Sequence, residues 1–235
     1  SNLLVSDQGY EGVIIQIYKQ MNQVEITENE IHAQAGALLS MIANRAMEAE
    51  LTGFEFAAGI PGTLGGACVM NAGAYGGEMK DVLETVTVLT RDGDVKTLTK
   101  DELELGYRTS VIAKKDYIVL SAVIRLENGK KEEIKAVMDD LKEKRITKQP
   151  LEYPSAGSTF KRPEGYFAGK LIQDAGLRGF QVGGAQVSEK HCGFVVNKDQ
   201  ATAADVMNLM NQVSDKVYEM SGVRLEPEVK RLGVF

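Results

Sequence analysis

The chain has 235 residues, of which 43% are hydrophobic and 26% charged, with a formal net charge of −6 at pH 7. This length and composition predict a globular protein with one large domain or two smaller ones, each able to bury a core. The acidic balance argues against a nucleic-acid partner, and no apolar run approaches the roughly 20 residues that span a bilayer, so no membrane partner is expected.

The first half of the chain is predicted to be rich in strands. Apolar residues alternate weakly over Val13–Ile17, which predicts a strand, and the spacing over Ala37–Glu50 predicts a helix. Asp92-Gly93 lies between two alternating runs, the strongest short signal for a β-hairpin. Tyr117–Leu126 is apolar on both faces, so we expect a central strand.

The second half is predicted to mix helices and strands. A charged helix begins after Asn128-Gly129, with an apolar stripe formed by Ile134, Val137, Met138 and Leu141. A short helix is expected to end at Gly176, and a last helix to begin at a capping box of Thr202 and Asp205 and to end at Gly222. We therefore predict an α+β fold in two parts, residues 1–128 and 129–235.

Cysteine and histidine are rare in this chain. Cys68 and Cys192 have no nearby CxxC partner, so no metal site is expected, and two free thiols favour a reducing, cytoplasmic location. We interpret both thiols as packed or incidental. His191 is a candidate for lining a pocket, although a lone histidine is more often structural.

Glycines are concentrated between Gly59 and Val82, in the stretch GIPGTLGGACVMNAGAYGGEMKDV. The stretch contains neither G-x-G-x-x-G nor a Walker A pattern, which argues against a Rossmann site and a P-loop. The backbone around Pro61, Gly62, Gly65 and Gly66 could bind a pyrophosphate through its N–H groups. By composition alone, tight turns are the commoner explanation.

Several separated motifs together resemble one family. AGIPGTLGGACVMNAGAYGGEMKDV, YRTS, AGSTFKRP and LEPEVKRLG occur in this order, with SNLLVSD at the start and AGKLIQDAGLRG and GFVVN later. They resemble the UDP-N-acetylenolpyruvoylglucosamine reductase (MurB) family of peptidoglycan synthesis over essentially the whole chain. The resemblance implies the remainder of a vanillyl-alcohol-oxidase-like FAD-binding domain in residues 1–128 and a substrate-binding α+β domain in residues 129–235.

The resemblance also implies ligands and the residues that bind them. The cofactor is FAD and the co-substrate NADPH, with no protein partner implied. The residues expected to bind FAD are Ser1, Asn2, Pro61, Gly62, Thr63, Gly65, Gly66, Asn71, Ala72, Gly73 and Ala74. Those expected to bind the nucleotide sugar are Tyr75, Lys148, Lys161 and Arg162, whose cations suit a diphosphate or carboxylate.

Three residues are assigned to catalysis by the resemblance. The family reduces UDP-N-acetylglucosamine enolpyruvate to UDP-N-acetylmuramate. Arg108 would stabilise the enolate-like charge, Glu228 would assist at the same carboxyl group while protonated or hydrogen-bonded, and Ser158 would donate the proton. Without the family match, the ordinary alternatives are a surface ion pair for Arg108, a turn or cap hydroxyl for Ser158 and an exposed strand carboxylate for Glu228.

Two features depart from the family pattern. The resemblance implies roughly sixty further residues before Ser1, so we expect an N-terminally truncated chain that holds FAD weakly or not at all. Between Leu126 and Ser158 there is no room for an inserted substrate-clamping tyrosine loop, which indicates the subgroup without it. The alternative hypothesis is an inactive, flavin-deficient module that only binds the nucleotide sugar, and a weaker one is another oxidase on the same flavin fold.

Overall fold

The computed structural model describes the whole chain, residues 1 to 235. Its helices are α1 Leu39–Glu48, α2 Leu64–Val69, α3 Met79–Val82, α4 Val111–Lys114, α5 Lys131–Lys148, α6 Ala168–Asp174 and α7 Ala203–Ser221. Its strands are β1 Leu3–Val5, β2 Val24–Thr27, β3 Glu30–Gln34, β4 Leu51–Thr52, β5 Gly73–Ala74, β6 Gly77–Glu78, β7 Leu83–Leu89, β8 Val95–Thr99, β9 Ile118–Arg125, β10 Glu127–Asn128, β11 Ser155–Ser158, β12 Gln181–Val182, β13 Ala185–Val187, β14 Phe194–Asn197 and β15 Lys230–Leu232. Separate, mostly antiparallel sheets with intervening helices confirm the α+β class.

The chain forms two compact units. The large unit is Ile14–Arg145, and the small unit combines Ser1–Val13 with Ile146–Phe235. These limits differ from the division expected after residue 128, because the first part of α5 packs into the large unit through Ile134 and Met138. A functional boundary at residue 128 stays a prediction.

The large unit is built on a five-stranded antiparallel sheet in the order β2-β3-β9-β7-β8. β9 lies in the middle, between β3 and β7, which confirms the central position expected from its two apolar faces. The β7-β8 hairpin turns through Gly93 at φ +89°, as the Asp-Gly pair predicts. α1 buries Leu39 and Ile42 in the core, and α2 lies against β9.

The small unit is built on a four-stranded antiparallel sheet in the order β11-β14-β13-β12, which α7 covers. The predicted capping box is present: the Thr202 hydroxyl accepts the Asp205 N–H, and the Asp205 carboxylate accepts the Thr202 N–H. α7 ends at Gly222 with φ +70°, as predicted. A separate parallel pair joins β1 to β15.

Two local expectations are wrong. Val13–Ile17 forms no strand, and Val13 and Ile15 are 87% and 82% exposed. The structure gives this segment no partner strand, and alternation alone does not satisfy the backbone groups of an isolated strand. The buried apolar stripe of α5 is also narrower than predicted. Ile134 is buried, but Val137, which is expected on the same stripe, is 47% exposed.

Candidate active site

The glycine-rich loop leads into α2, and its glycines have different structural reasons. Gly62 has φ +143°, which a residue with a side chain rarely adopts. Gly65 is buried, its N–H donates to the Ala35 carbonyl at 2.8 Å, and an added Cβ would lie 3.1 Å from the Ala35 Cβ. Gly65 is therefore explained by packing within the large unit.

Gly66 has no such internal reason. It is exposed on the first turn of α2, and an added Cβ would find no atom within 4 Å. Glycine in a helix costs roughly 0.5–1 kcal/mol relative to alanine, so an open helical glycine indicates close approach by something outside the chain. The loop thus fits a phosphate-bearing cofactor, with Pro61 and Gly66 as its exposed backbone.

Asn71 organises the segment after α2. Its side-chain amide donates to Glu78 Oε2 at 2.5 Å and to the Gly106 carbonyl at 3.0 Å, and its side-chain oxygen accepts the Lys80 N–H at 2.8 Å. Asn71 is also buried and has φ +45°. Both of its amide protons are therefore used within the protein, so a contact with FAD would involve its backbone or the remaining lone pair of its side-chain oxygen.

Tyr75 lies at the tip of the hairpin between β5 and β6. Tyr75 and Gly76 have φ values of +53° and +93°, so both central residues of this two-residue turn are left-handed. Asparagine or glycine is the usual choice there, and a bulky residue with positive φ is strained. The strain of Tyr75, which is 43% exposed, marks it as a candidate functional side chain.

Arg108 lies in a similar tight turn. The N–H and carbonyl of Gly106 are bonded to the carbonyl and N–H of Thr109, and Arg108 has φ +55°. The turn is fixed to α2 because Asn71 donates to Gly106 and the Ser110 hydroxyl donates to the Val69 carbonyl at 2.6 Å. Within the large unit, the structure therefore links Arg108 to the segment that carries Asn71 and Tyr75.

Arg145, at the end of the large unit, is a residue that the sequence reasoning missed. Its guanidinium carbon lies 5.8 Å from the centre of the Tyr75 ring. An added Cβ on Gly59 would lie 2.8 Å from Arg145 Nε, so this side chain packs directly against the Gly59 backbone. Burial lowers the pKa of Arg145. Its position in a highly charged helix gave no signal that would distinguish it from the solvated residues around it.

Ser158 ends β11 in the small unit. It is exposed and lies opposite Phe194 of β14, after a change of register at which Gly157 has φ +78°. The next residue, Thr159, is buried, and its N–H donates to Gly193 at 2.9 Å while its hydroxyl accepts the Val195 N–H at 2.8 Å. Ser158 is therefore held at the edge of a fixed backbone.

Glu228 lies on a segment that pairs with the residues after Ser158. The Glu228 N–H donates to the Thr159 carbonyl at 2.8 Å, and Phe160 pairs with Pro227. On the other side, the Asn2 side-chain amide donates to the Glu228 carbonyl at 3.3 Å. Within the small unit, the structure thus brings the backbones of Ser158, Glu228 and Asn2 into one neighbourhood.

The predicted substrate cations differ in their contacts. Lys161 forms an ion pair with Glu226. The Arg162 guanidinium carbon lies 4.0 Å from the centre of the exposed Phe167 ring, and its Nε donates to the Tyr166 carbonyl. Lys148 is exposed at the end of α5. None of these contacts tests a role in substrate binding, so those roles stay predictions.

The remaining candidates, His191 and the two cysteines, have contacts within the fold, and a pocket-lining role of His191 stays a prediction. His191 Nδ1 accepts the Gly193 N–H at 3.0 Å, its ring packs edge-on against Phe194, and burial lowers its pKa. Both cysteines are free and buried, and burial raises the pKa of Cys68 to about 12, so this thiol is unreactive.

The structure gathers no group of three residues suited to a metal ion. None of its helices has both the length and the apolar character that crossing a bilayer requires.

Comparisons with known proteins give consistent results across the chain. Residues 149–232 match the model for the C-terminal domain of UDP-N-acetylenolpyruvoylglucosamine reductase, and residues 1–99 match the model of an FAD binding domain. Together these matches confirm the expected combination of a flavin-binding part and a C-terminal domain of this family.

Individual relatives agree with these matches. The UDP-N-acetylenolpyruvoylglucosamine reductase of Agathobacter rectalis is 60% identical, and the match covers 100% of this chain and 79% of that relative. The Clostridioides difficile protein of the same name is 54% identical, with 99% of this chain and 77% of that relative covered. The crystal structure of the Thermus caldophilus reductase superposes with a TM-score of 0.85 at 36% identity, covering 98% of this chain and 82% of that one.

Proposed function

The chain belongs to the UDP-N-acetylenolpyruvoylglucosamine reductase (MurB) family, and from this premise we propose that it reduces UDP-N-acetylglucosamine enolpyruvate to UDP-N-acetylmuramate. It is a flavin-dependent oxidoreductase of peptidoglycan synthesis, with NADPH as the reductant. The reaction belongs in the cytoplasm, where NADPH and nucleotide sugars are available and where two free cysteines stay reduced.

The flavin site is assigned to the glycine-rich loop and the segment after it. FAD, when bound, would supply the redox chemistry: it would take a hydride from NADPH and give it to the vinyl carbon of the substrate. Pro61, Gly62, Thr63, Gly65 and Gly66 would form the loop over its pyrophosphate, and Asn71 to Ala74 would pass beside its ring, with Ser1 and Asn2 as a further contact. The open Cα of Gly66 supports this assignment, because its lack of a side chain serves no packing within the chain.

Residues of the chain are proposed to stabilise the negative charge that develops on the substrate and to supply the proton that completes its reduction. As the vinyl carbon is reduced, negative charge builds on the neighbouring carbon and its carboxylate. The Arg108 guanidinium would stabilise this charge without reorganising, since its turn is already fixed. Ser158 would give its hydroxyl proton to the charged carbon and recover one from solvent, while Glu228, protonated or hydrogen-bonded, would assist at the same carboxyl group.

One observation carries this assignment in the small unit. The Glu228 N–H donates to the carbonyl of Thr159, the residue that follows Ser158. A proposed proton donor and a proposed carboxyl partner therefore lie on paired backbones, although 70 residues separate Ser158 from Glu228 in the sequence. Tyr75, Lys148, Lys161 and Arg162 are proposed to bind the nucleotide sugar.

The test is a combined spectral and product assay of the purified chain. A flavin absorbance band, NADPH oxidation that requires the enolpyruvyl sugar, and a product heavier by two hydrogens would support the reductase. Binding of the nucleotide sugar without flavin absorbance or NADPH oxidation would instead support the alternative of a binding module. Oxygen consumption with another substrate would favour another oxidase on the same flavin fold.

A further inference from the structure

Asn2 contacts the segment that carries Glu228 at two points. Its side-chain amide donates to the Glu228 carbonyl at 3.3 Å, and its main-chain carbonyl accepts the Lys230 N–H at 2.8 Å. These contacts lie on either side of Val229, which is buried. We propose that Asn2 is a positioning residue for Glu228 and couples the flavin-binding end of the chain to the placement of the Glu228 carboxyl group. This inference rests on the function proposed above.

The Glu228 backbone is held from two directions. Its N–H donates to the Thr159 carbonyl, and its carbonyl accepts from Asn2. The first bond sets the distance to the segment that follows Ser158, and the second sets the rotation of the peptide that joins Glu228 to Val229. Removing the Asn2 amide leaves the first bond in place, so the expected effect is misorientation of Glu228 without unfolding of the sheet.

The residues that follow Asn2 are anchored independently of it. β1 runs parallel to β15, with Leu3 opposite Lys230 and Val5 opposite Leu232. The Ser6 N–H donates to the Leu232 carbonyl, and the Asp7 carboxylate accepts the N–H groups of Ala203 and Ala204 at the start of α7. These bonds hold the chain that follows Asn2 in place. A displacement of Ser1 and Asn2 would therefore move the segment of Glu228, which Asn2 contacts, and not the residues after β1.

The coupling has a specific consequence for the reaction. Glu228 is proposed to act in the substrate step and not in reduction of the flavin by NADPH. Loss of the hydrogen bond from the Asn2 amide to Glu228 should therefore slow the substrate half-reaction and leave reduction of the flavin by NADPH unchanged. A residue that only contributed to FAD affinity would affect both half-reactions through the amount of bound flavin.

The experiment compares Asn2→Asp with Asn211→Asp. The first variant keeps the size and the main-chain carbonyl of Asn2 but removes the donor to Glu228. The control makes the same change at an exposed position of α7. Amide hydrogen exchange is measured in the flavin-free chain and after FAD is added, and both half-reactions are then followed at saturating FAD.

The proposal predicts that FAD protects the Lys230 amide, which donates to Asn2, in the native chain and in Asn211→Asp. In Asn2→Asp we expect the Lys230 amide, which donates to the main-chain carbonyl of Asn2, to exchange about tenfold faster and to lose this protection, with a substrate half-reaction slowed about tenfold. The Glu228 amide, which donates to Thr159, should keep its native exchange rate. Should Asn2→Asp not fold, Asn2→Ser is measured in the same way. Native Lys230 exchange or a native substrate half-reaction in Asn2→Asp at saturating FAD overturns the proposal, even if the variant binds FAD more weakly. If the native chain shows no FAD binding or reductase activity, the proposed function fails. Exchange of the Lys230 amide in the flavin-free chain then still decides whether Asn2 holds the segment that carries Glu228.

Discussion

The Ser158 hydroxyl is attached to backbone that is fixed by its neighbour Thr159, so its replacement should change chemistry and not structure. We expect Ser158→Ala to leave flavin reduction by NADPH fast. Reoxidation by the enolpyruvyl sugar should slow by about 10²–10⁴-fold, the usual contribution of a positioned proton donor. Stopped-flow absorbance of the flavin separates the two half-reactions.

Ser155→Ala is the matched control, since Ser155 begins the same strand and its hydroxyl accepts only the nearby Gly157 N–H, at 3.4 Å. It should behave as the native chain does. Equal slowing of both half-reactions in Ser158→Ala would show that Ser158 is not the proton donor.

Tyr75 combines backbone strain with exposure, a combination that stability alone does not favour. Tyr75→Asn places a residue that tolerates positive φ in the turn and removes the distant contact with Arg145. We expect the free energy of unfolding in urea to stay the same or to rise by up to about 1 kcal/mol. If Tyr75 faces the nucleotide sugar, KM for that substrate rises while the rate of flavin reduction is unchanged. A clear loss of stability would show that the aromatic ring serves the fold.

At the scale of elements, the two glycines of α2 form a matched pair. Gly65→Ala brings a methyl group 3.1 Å from the Ala35 Cβ and should lower the free energy of unfolding by about 1–3 kcal/mol. Gly66→Ala enters open space and should raise it by roughly 0.5–1 kcal/mol through helix propensity. The same Gly66 variant should bind FAD more weakly, because its methyl group would lie where we propose that the cofactor approaches.

Urea unfolding and FAD titration of both variants check this prediction. If Gly66→Ala bound FAD as tightly as the native chain, the open glycine would have no cofactor-related reason, and the loop would be only a turn.

Elements whose signals are local could be predicted from the sequence. α7 has its capping box and terminal glycine in adjacent residues, and the β7-β8 hairpin is specified by Asp92-Gly93. Val13–Ile17 could not be judged this way, since a strand depends on partners elsewhere in the chain. The turns at Tyr75 and Arg108 were also hidden, because neither residue type is typical of a left-handed position and only the surrounding contacts impose it.

At the scale of the whole molecule, the small unit is not continuous in sequence, because it combines the two ends of the chain. Pairing of β1 with β15 joins the two ends of the chain, and Asp7 caps a helix that begins nearly 200 residues later. No periodicity predicts contacts at such separation. The candidate site was accordingly predicted from motif resemblance, while the contacts that support its residues, such as those of Asn2 and Asn71, needed the structure.

Acid stability of the chain should depend on Asp205, which ties α7 to the β12-β13 turn. Its carboxylate accepts the N–H groups of Thr202 and Gly184, and these bonds lower its pKa in the folded state. A carboxyl group with a lowered folded-state pKa stabilises the fold above its unfolded value. That contribution is lost as pH falls below about 4 and through the folded-state pKa.

Asp205→Asn should therefore reduce the loss of stability between neutral pH and about pH 3, measured as the urea midpoint by circular dichroism. Asp215→Asn, at an exposed position of the same helix, should retain the native pH dependence. If Asp205→Asn also kept the full pH dependence, other carboxylates would control acid unfolding.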